Sequence, residues 1–133
     1  MEPLIPQDSG IVSLASPHSV DETLDRLEGI LRAKGITIFA RIDQRKEAQR
    51  VGLDLRPTQL LIFGNPRAGT PIMAASPGSA LDLPLKILAW QDDTGQVWLS
   101  YNSPDYLLRR HHLSNGLLDP ISVVGVLAGE AVK

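Results

Sequence analysis

Two strand-forming runs, Leu85–Gln91 and Gln96–Tyr101, flank Asp92-Asp93-Thr94-Gly95, and this arrangement commits the chain to an antiparallel hairpin. With Asp92 opposite Gly95, Lys86 falls opposite Tyr101. Leu88, Trp90, Val97 and Leu99 then share the face of Lys86 and Tyr101, while Trp98 points to the other side. A bulge in the turn would change this register. Upstream, the unbroken run Leu60-Leu61-Ile62-Phe63 within Gln59–Phe63 predicts a strand covered on both sides and central in its sheet.

The rest of the chain supplies helices and further strands. Gly10 to Ser16 reads as a first strand after a loose arm over residues 1–9. Ser19 and Glu22 form a capping pair ahead of an apolar stripe of Val20, Leu24, Leu27, Ile30 and Leu31, and Gly35 ends that helix. Glu22–Arg26 and Glu28–Arg32 fall at i,i+4 on its solvent side. Ile36 to Asp43 alternates, with Ile36, Ile38, Ala40 and Ile42 on one face and Thr37, Phe39, Arg41 and Asp43 on the other. Asp43 then caps a short polar helix that Gly52 stops. Pro104 opens a helix through about His112, and Asp119-Pro120 opens a last one through Ala131. There is no internal repeat and no sign of a second domain, so residues 1–133 form one domain.

Composition narrows the function classes. A chain of 133 residues can bury a core without a metal or disulfide, and with 43% hydrophobic and 21% charged residues it is an ordinary globular sequence. The net charge of −2 argues against a nucleic-acid partner. The absence of cysteine removes thiolate zinc sites, iron–sulfur clusters and redox thiols. MEPLIPQDSG lacks the basic and apolar regions of a signal peptide, and no apolar run is long enough to span a bilayer, so a cytoplasmic protein with no membrane partner is expected.

The patterns IFARID, LRPTQLLIFGNPRAGTPIM and LDLPLKILAWQDDTGQVWLSYNSPDYLLRRHHL resemble the domain-of-unknown-function 302 family over nearly the whole chain from about Gly10. The resemblance implies an α+β domain of two layers, a mainly antiparallel sheet with helices on one face, similar to TATA-binding-protein-like folds and commonly a homodimer. It implies no established activity. Family members often have His after the aspartate that matches Asp43, whereas this chain has Gln44. His111, in RRHHL, matches the family's RH pair.

Two places invite a functional reading. Gly64-Asn65-Pro66-Arg67-Ala68-Gly69-Thr70 has the outline of a phosphate loop, but it lacks the lysine, and Pro66 and Pro71 each delete an amide that a phosphate nest would use. A nucleotide triphosphatase is excluded. The loop reads instead as a turn at Asn65 and a helix capped by Thr70 with Pro71 in its first turn, or as an anion site at that helix start with Arg67 nearby. Lys86, set against Tyr101 and Trp90, offers a cation, a phenol and an indole, or simply lays its stem over the indole. His111 and His112 point about 100° apart on a helix and cannot hold one metal together, and Asp43, Asp82 and His18 could join them only through the fold. No metal or cofactor is expected.

The sequence therefore favours a non-catalytic homodimeric module that binds a small anionic or partly apolar ligand near Asn65, Arg67, Gly69, Thr70, Lys86, Tyr101 and Asn102. An enzyme using His111 or Asp43 as acid/base is the alternative. A purely structural protein–protein module is the third reading.

Overall fold

The computed structural model describes residues 9–117 and 119–133, so all but Ser9 of the expected N-terminal arm lies outside the described residues. The chain runs β1 (Ile11–Ser16), α1 (Val20–Ala33), β2 (Thr37–Asp43), α2 (Gln44–Arg50), β3 (Thr58–Gly64) and α3 (Pro66–Ala75). After a 3₁₀ turn at Pro77–Leu81 come β4 (Leu85–Gln91), β5 (Val97–Asn102), α4 (Pro104–Arg110), a second 3₁₀ turn at Asn115–Leu117 and α5 (Asp119–Ala131). The strands form one sheet in the order β1-β5-β4-β3-β2, and every neighbouring pair is antiparallel. The fold is α+β, as the resemblance implied.

The apolar stripe of α1 becomes the core as its spacing requires. Ser19 accepts from the Glu22 amide at 3.0 Å, and Val20, Leu24, Leu27 and Leu31 are all buried. Each contributes roughly 1.5–3 kcal/mol of hydrophobic stabilisation. From α5, Ile121, Val124, Leu127, Ala128 and Ala131 join them against Leu61, Phe63, Ile87, Ala89, Val97 and Leu99 of the sheet. Leu60, Ile62, Leu88 and Trp90 stand outside this cluster, half-buried on the reverse face. The β3 run is therefore interior but carries the helical core on one side only, because a single helix layer covers an antiparallel sheet on one face.

The hairpin register differs from the expected one by a residue. Leu88 pairs with Ser100 and Trp90 with Trp98, so Val97, Leu99 and Tyr101 turn toward the helices while Lys86, Leu88, Trp90 and Trp98 share the reverse face. The cause lies in the turn. Asp92 closes it on Gln96 and not on Gly95, donating its amide to the Gln96 carbonyl at 2.9 Å, while the Gly95 amide donates to the Asp92 carbonyl at 3.2 Å and Gly95 takes a left-handed φ of 89° that most residues avoid. The Asp92 carboxylate accepts from the Thr94 amide, the Thr94 hydroxyl and the Gln96 amide at 2.9, 2.7 and 3.0 Å, and from the Trp98 indole at 3.0 Å.

A bulge likewise overturns the alternation expected in β2. Ile38 pairs with Phe63 but Ala40 pairs with Ile62, so the strand changes faces at Phe39. Arg41 consequently lies under α1, where it donates to Asp25 at 2.7 Å, to Glu28, to the Asp21 carbonyl at 3.3 Å and to Gln59 at 2.8 Å. Burial opposes its charge, but the hydrogen bonds and attraction of Asp25 and Glu28 outweigh that and raise its pKa. Glu28–Arg32 forms as expected at 2.9 Å. Arg26 instead leaves Glu22 for the carbonyls of Ala131 and Lys133, at 3.0 and 2.7 Å, and so fastens α1 to the end of α5.

Two predictions follow from these turns. The Trp98 indole foremost, with Thr94 and Gln96, holds the Asp92 carboxyl down from 3.8 to about 2 against the opposing effect of burial. A depressed acid stabilises the fold above its unfolded value, and that contribution disappears as pH falls from 3.8 through about 2. Asp92→Asn, which presents an amide donor to an indole donor, should lower the thermal midpoint at pH 7 and flatten the acid limb of a tryptophan-fluorescence titration; an unchanged acid limb refutes the role. At the end of α4, His112 closes a Schellman turn at φ 52°, with its amide on Arg109 and the Leu113 amide on Leu108. His112→Gly should stabilise by about 1 kcal/mol, because the left-handed penalty vanishes, and calorimetry would show a melting point higher by about 4 °C.

Candidate functional site

An apolar concavity opens where β3 runs into α3 and β4 begins, a cavity of about 290 Å³. Its floor is the core itself: Phe63, Ile72, Leu85 and Ile121. Phe39 reaches its rim because the β2 bulge releases that side chain from the alternation. Asn65 and Thr70 contribute the polar side chains, and no charged residue among those described lines it. Such a space fits an apolar body with one polar group, and it offers an ion no partner.

The start of α3 explains the missing charge recognition. The helix begins at Pro66, four residues before the expected Thr70 cap, and Pro71 falls inside it. Asn65 does the capping: its side chain accepts from the Arg67 amide at 3.0 Å, and its carbonyl accepts from Ala68 and Gly69, both at 2.9 Å. The amides that an anion would use are thus bonded within the turn. Arg67 is exposed and stays outside the cavity lining, while Gly69 and Thr70 line it from the second helical turn.

The structure separates the remaining candidates. Lys86, opposite Ile62, and Asn102, opposite Ile11, belong to the reverse face of the sheet. Tyr101 lies on the helix side, where burial raises its pKa and where a Cβ on Gly125 would come within 3.1 Å of its hydroxyl. Lys86 and Tyr101 therefore cannot share a ligand as the expected register required, since the one-residue shift sends them to opposite faces. Asn65, Gly69 and Thr70 alone of the seven predicted ligand residues gather at one site.

The acid/base candidates are also apart. Asp43 caps α2 by accepting from the Lys46 amide at 3.0 Å, and it pairs with Gln59 at the end of the sheet where β4 finishes. His111 meets Asp82, which precedes β4, with its Nε2 at 2.5 Å from the carboxylate. The seven-residue β4 between these ends spans roughly 20 Å. Arg110 brings a guanidinium to Asp82 at 3.2 Å, and Ser76 donates to the His111 carbonyl at 3.3 Å. An imidazole fixed by a carboxylate has the elements of a general acid/base pair. Ile72, Leu83 and Ile121 nevertheless form the partition between that pair and the large cavity, lining both sides. The pair clamps the end of α4 to the turn before β4. Nothing in the spacing of Asp82 and His111 announces this contact, just as nothing in β2 announces Arg41 beneath Asp25 and Glu28.

No group of three or more His, Asp or Glu side chains among the described residues is placed to hold a metal, and no helix among them is long and apolar enough to cross a membrane.

A family model described as domain of unknown function DUF302 matches residues 12–122. Two curated relatives, each named fluoride-specific ion channel FluC 1, come from Brucella suis biovar 1 and Brucella abortus biovar 1. Each is 42% identical over 122 residues that cover 92% of this chain, and the match covers 47% and 44% of those proteins, respectively. The chain thus spans about half the length of the curated relatives it matches. The crystal structure of an uncharacterized conserved DUF302 protein from Bacillus stearothermophilus superposes with a TM-score of 0.76 at 18% identity, covering 93% of this chain and 96% of that one. That likeness concerns the fold. With the family model spanning most of the domain, the chain belongs to the DUF302 family.

Proposed function

We propose that this DUF302 domain is a non-catalytic, homodimeric module that holds a small, partly apolar ligand in the cavity between α3, the start of α5 and the end of the sheet. The observation that carries the reading is the cavity itself: about 290 Å³, floored by core side chains and free of charged lining among the described residues. Asn65 and Thr70 would orient the ligand's polar group. The anionic ligand considered from the sequence draws less support, because Asn65 already engages the first amides of α3 and Arg67 stays outside the lining. An enzymatic reading has the Asp82–His111 pair but lacks access from the cavity to it. The channel named for the relatives is not carried over, since no described helix here can cross a membrane.

The reverse face of the sheet supports the homodimer. Leu60, Ile62, Leu88 and Trp90 stand there half-buried, and the polar atoms among them are already matched: Trp90 donates to Ser100 at 2.9 Å, and Ser100 bonds Ser13 at 2.7 Å. A sheet face that presents these apolar side chains can pair with its own copy about a two-fold axis.

Gly69 provides the ligand test. A Cβ there would meet the Met73 side chain at 3.8 Å, an ordinary contact, so the backbone tolerates a Cβ at this position. Gly69→Ala should stabilise the helix by about 0.5–1 kcal/mol, whereas Gly69→Leu should fill the cavity and abolish binding of a neutral naphthylamine fluorescent probe while the melting point holds. Probe binding unchanged in Gly69→Leu would overturn the site. For the dimer, native mass spectrometry of the wild type should give twice the chain mass and Leu88→Lys the monomer; a monomeric wild type would rule out that half of the proposal.

A further inference from the structure

A second concavity, of about 260 Å³, lies on the helix side of the sheet at the end away from the apolar cavity, where β2 passes into α2 and α1 begins. Strand pairing sets its base. Asp43 stands opposite Gln59, and Gln59 opposite Ala89, two positions before Gln91, so three polar side chains share one face. Gln59 is buried with both ends of its amide engaged, accepting from Arg41 at 2.8 Å and donating to Asp21. Val20 and Pro57 supply the apolar part of the lining.

The charges around this space are of both signs, and they do not cancel one another. Asp21 and Asp43 line it together with Arg45 and Lys46. Asp43 uses Oδ1 on the Lys46 amide at 3.0 Å, and its Oδ2 has no hydrogen-bond partner among the described residues. Asp21 Oδ1 takes the Gln59 amide and lies 3.7 Å from Arg41, which leaves its Oδ2 in the same condition. Neither Arg45 nor Lys46 pairs with a carboxylate among the described residues. Recognition there falls to side chains, since the Lys46 amide is already taken.

An anion alone would meet Asp21 and Asp43 as well as the cations, and a cation alone would meet Arg45 and Lys46 as well as the carboxylates. A small molecule that carries both charges engages all four. The short spacing of Asp43, Arg45 and Lys46 along the chain suits charges one carbon apart. The side-chain amides of Gln49 and Gln91 also line the space and hydrogen-bond no described residue, so they offer donors and acceptors to a polar tail. Since a cavity of about 150 Å³ holds benzene, this volume admits roughly ten non-hydrogen atoms.

We propose that this concavity binds a free α-amino acid, its carboxylate toward Arg45 and Lys46 and its ammonium toward Asp43 and Asp21. No residue lines both this space and the apolar cavity, so the two sites are independent.

Amide chemical-shift mapping by nuclear magnetic resonance, with each proteinogenic amino acid supplied at about 10 mM, should show saturable shifts at Asp21, Lys46 and Gln91 for at least one of them. For that amino acid, N-acetylation and amidation of the carboxylate should each weaken binding about fivefold. Asp43→Asn keeps the helix cap, because Asn caps as well as Asp; it should weaken the amino acid about fivefold and leave the N-acetyl derivative unaffected, with the melting point held. Arg45→Gln with Lys46→Gln should cost at least as much. Absence of saturable shifts at these amides from every amino acid overturns the proposal. So does binding that N-acetylation leaves unchanged, which would mark a simple anion site, or binding indifferent to Asp43→Asn, which would place the ammonium elsewhere.

Discussion

The carboxylate of Asp92 decides which side chains face which way in the middle of this sheet. By accepting from Thr94, Gln96 and Trp98 at once, it closes the β4–β5 turn one residue later than a turn from Asp92 to Gly95 would. Because side chains alternate along a strand, that single residue exchanges the two faces of β5. Val97, Leu99 and Tyr101 go to the helices, and Trp98 goes to the reverse face with its indole still bound to the carboxylate that placed it there. β1 inherits the same register through β5, with Leu14 opposite Leu99 and therefore turned toward the core.

A second one-residue irregularity, the bulge at Phe39, has consequences at both ends of β2. Before it, Ile36 and Ile38 pack on the core, and Ile36 also lines the cavity. After it, Arg41 takes a position that an apolar side chain would otherwise fill and becomes the electrostatic link between β2 and the acidic side of α1. A single guanidinium satisfied by Asp25, Glu28, Gln59 and a backbone carbonyl tolerates partial burial because its charge is matched on several sides. Phe39, freed from the alternation, is left at the rim of the cavity. The bulge thus joins the geometry of the candidate site to the attachment of α1.

Much of the fold was legible from periodicity and caps. The Ser19 cap, the buried stripe of α1, the helix from Asp119 to Ala131 and the hairpin itself follow from local chemistry, and local chemistry is what a sequence displays. The candidate site was legible only in part. Asn65, Gly69 and Thr70 were readable as a special turn at the end of an apolar strand, yet the helix begins at Pro66 because Asn65 caps better than the residues after it. Asp82 and His111 are far apart in sequence, and Lys86 and Tyr101 were brought together on paper by a register that the turn does not adopt. Long-range contacts and one-residue register shifts leave no local trace.

The sequence by itself determined the class of the domain, an antiparallel sheet with helices against it, and the family resemblance through residues that lie mostly in the core and turns. It also settled where most helices start, because Ser, Asp and Pro at those positions satisfy or remove the free amides of the first turn. Only the tertiary structure decided which face each strand presents, that the cavity is apolar and lacks a charged lining among the described residues, and that His111 meets Asp82 instead of Asp43. The reason is physical: alternation converts one inserted residue into an exchange of faces, and whether a residue is inserted depends on side chains several positions away that hydrogen-bond only once the strands have paired.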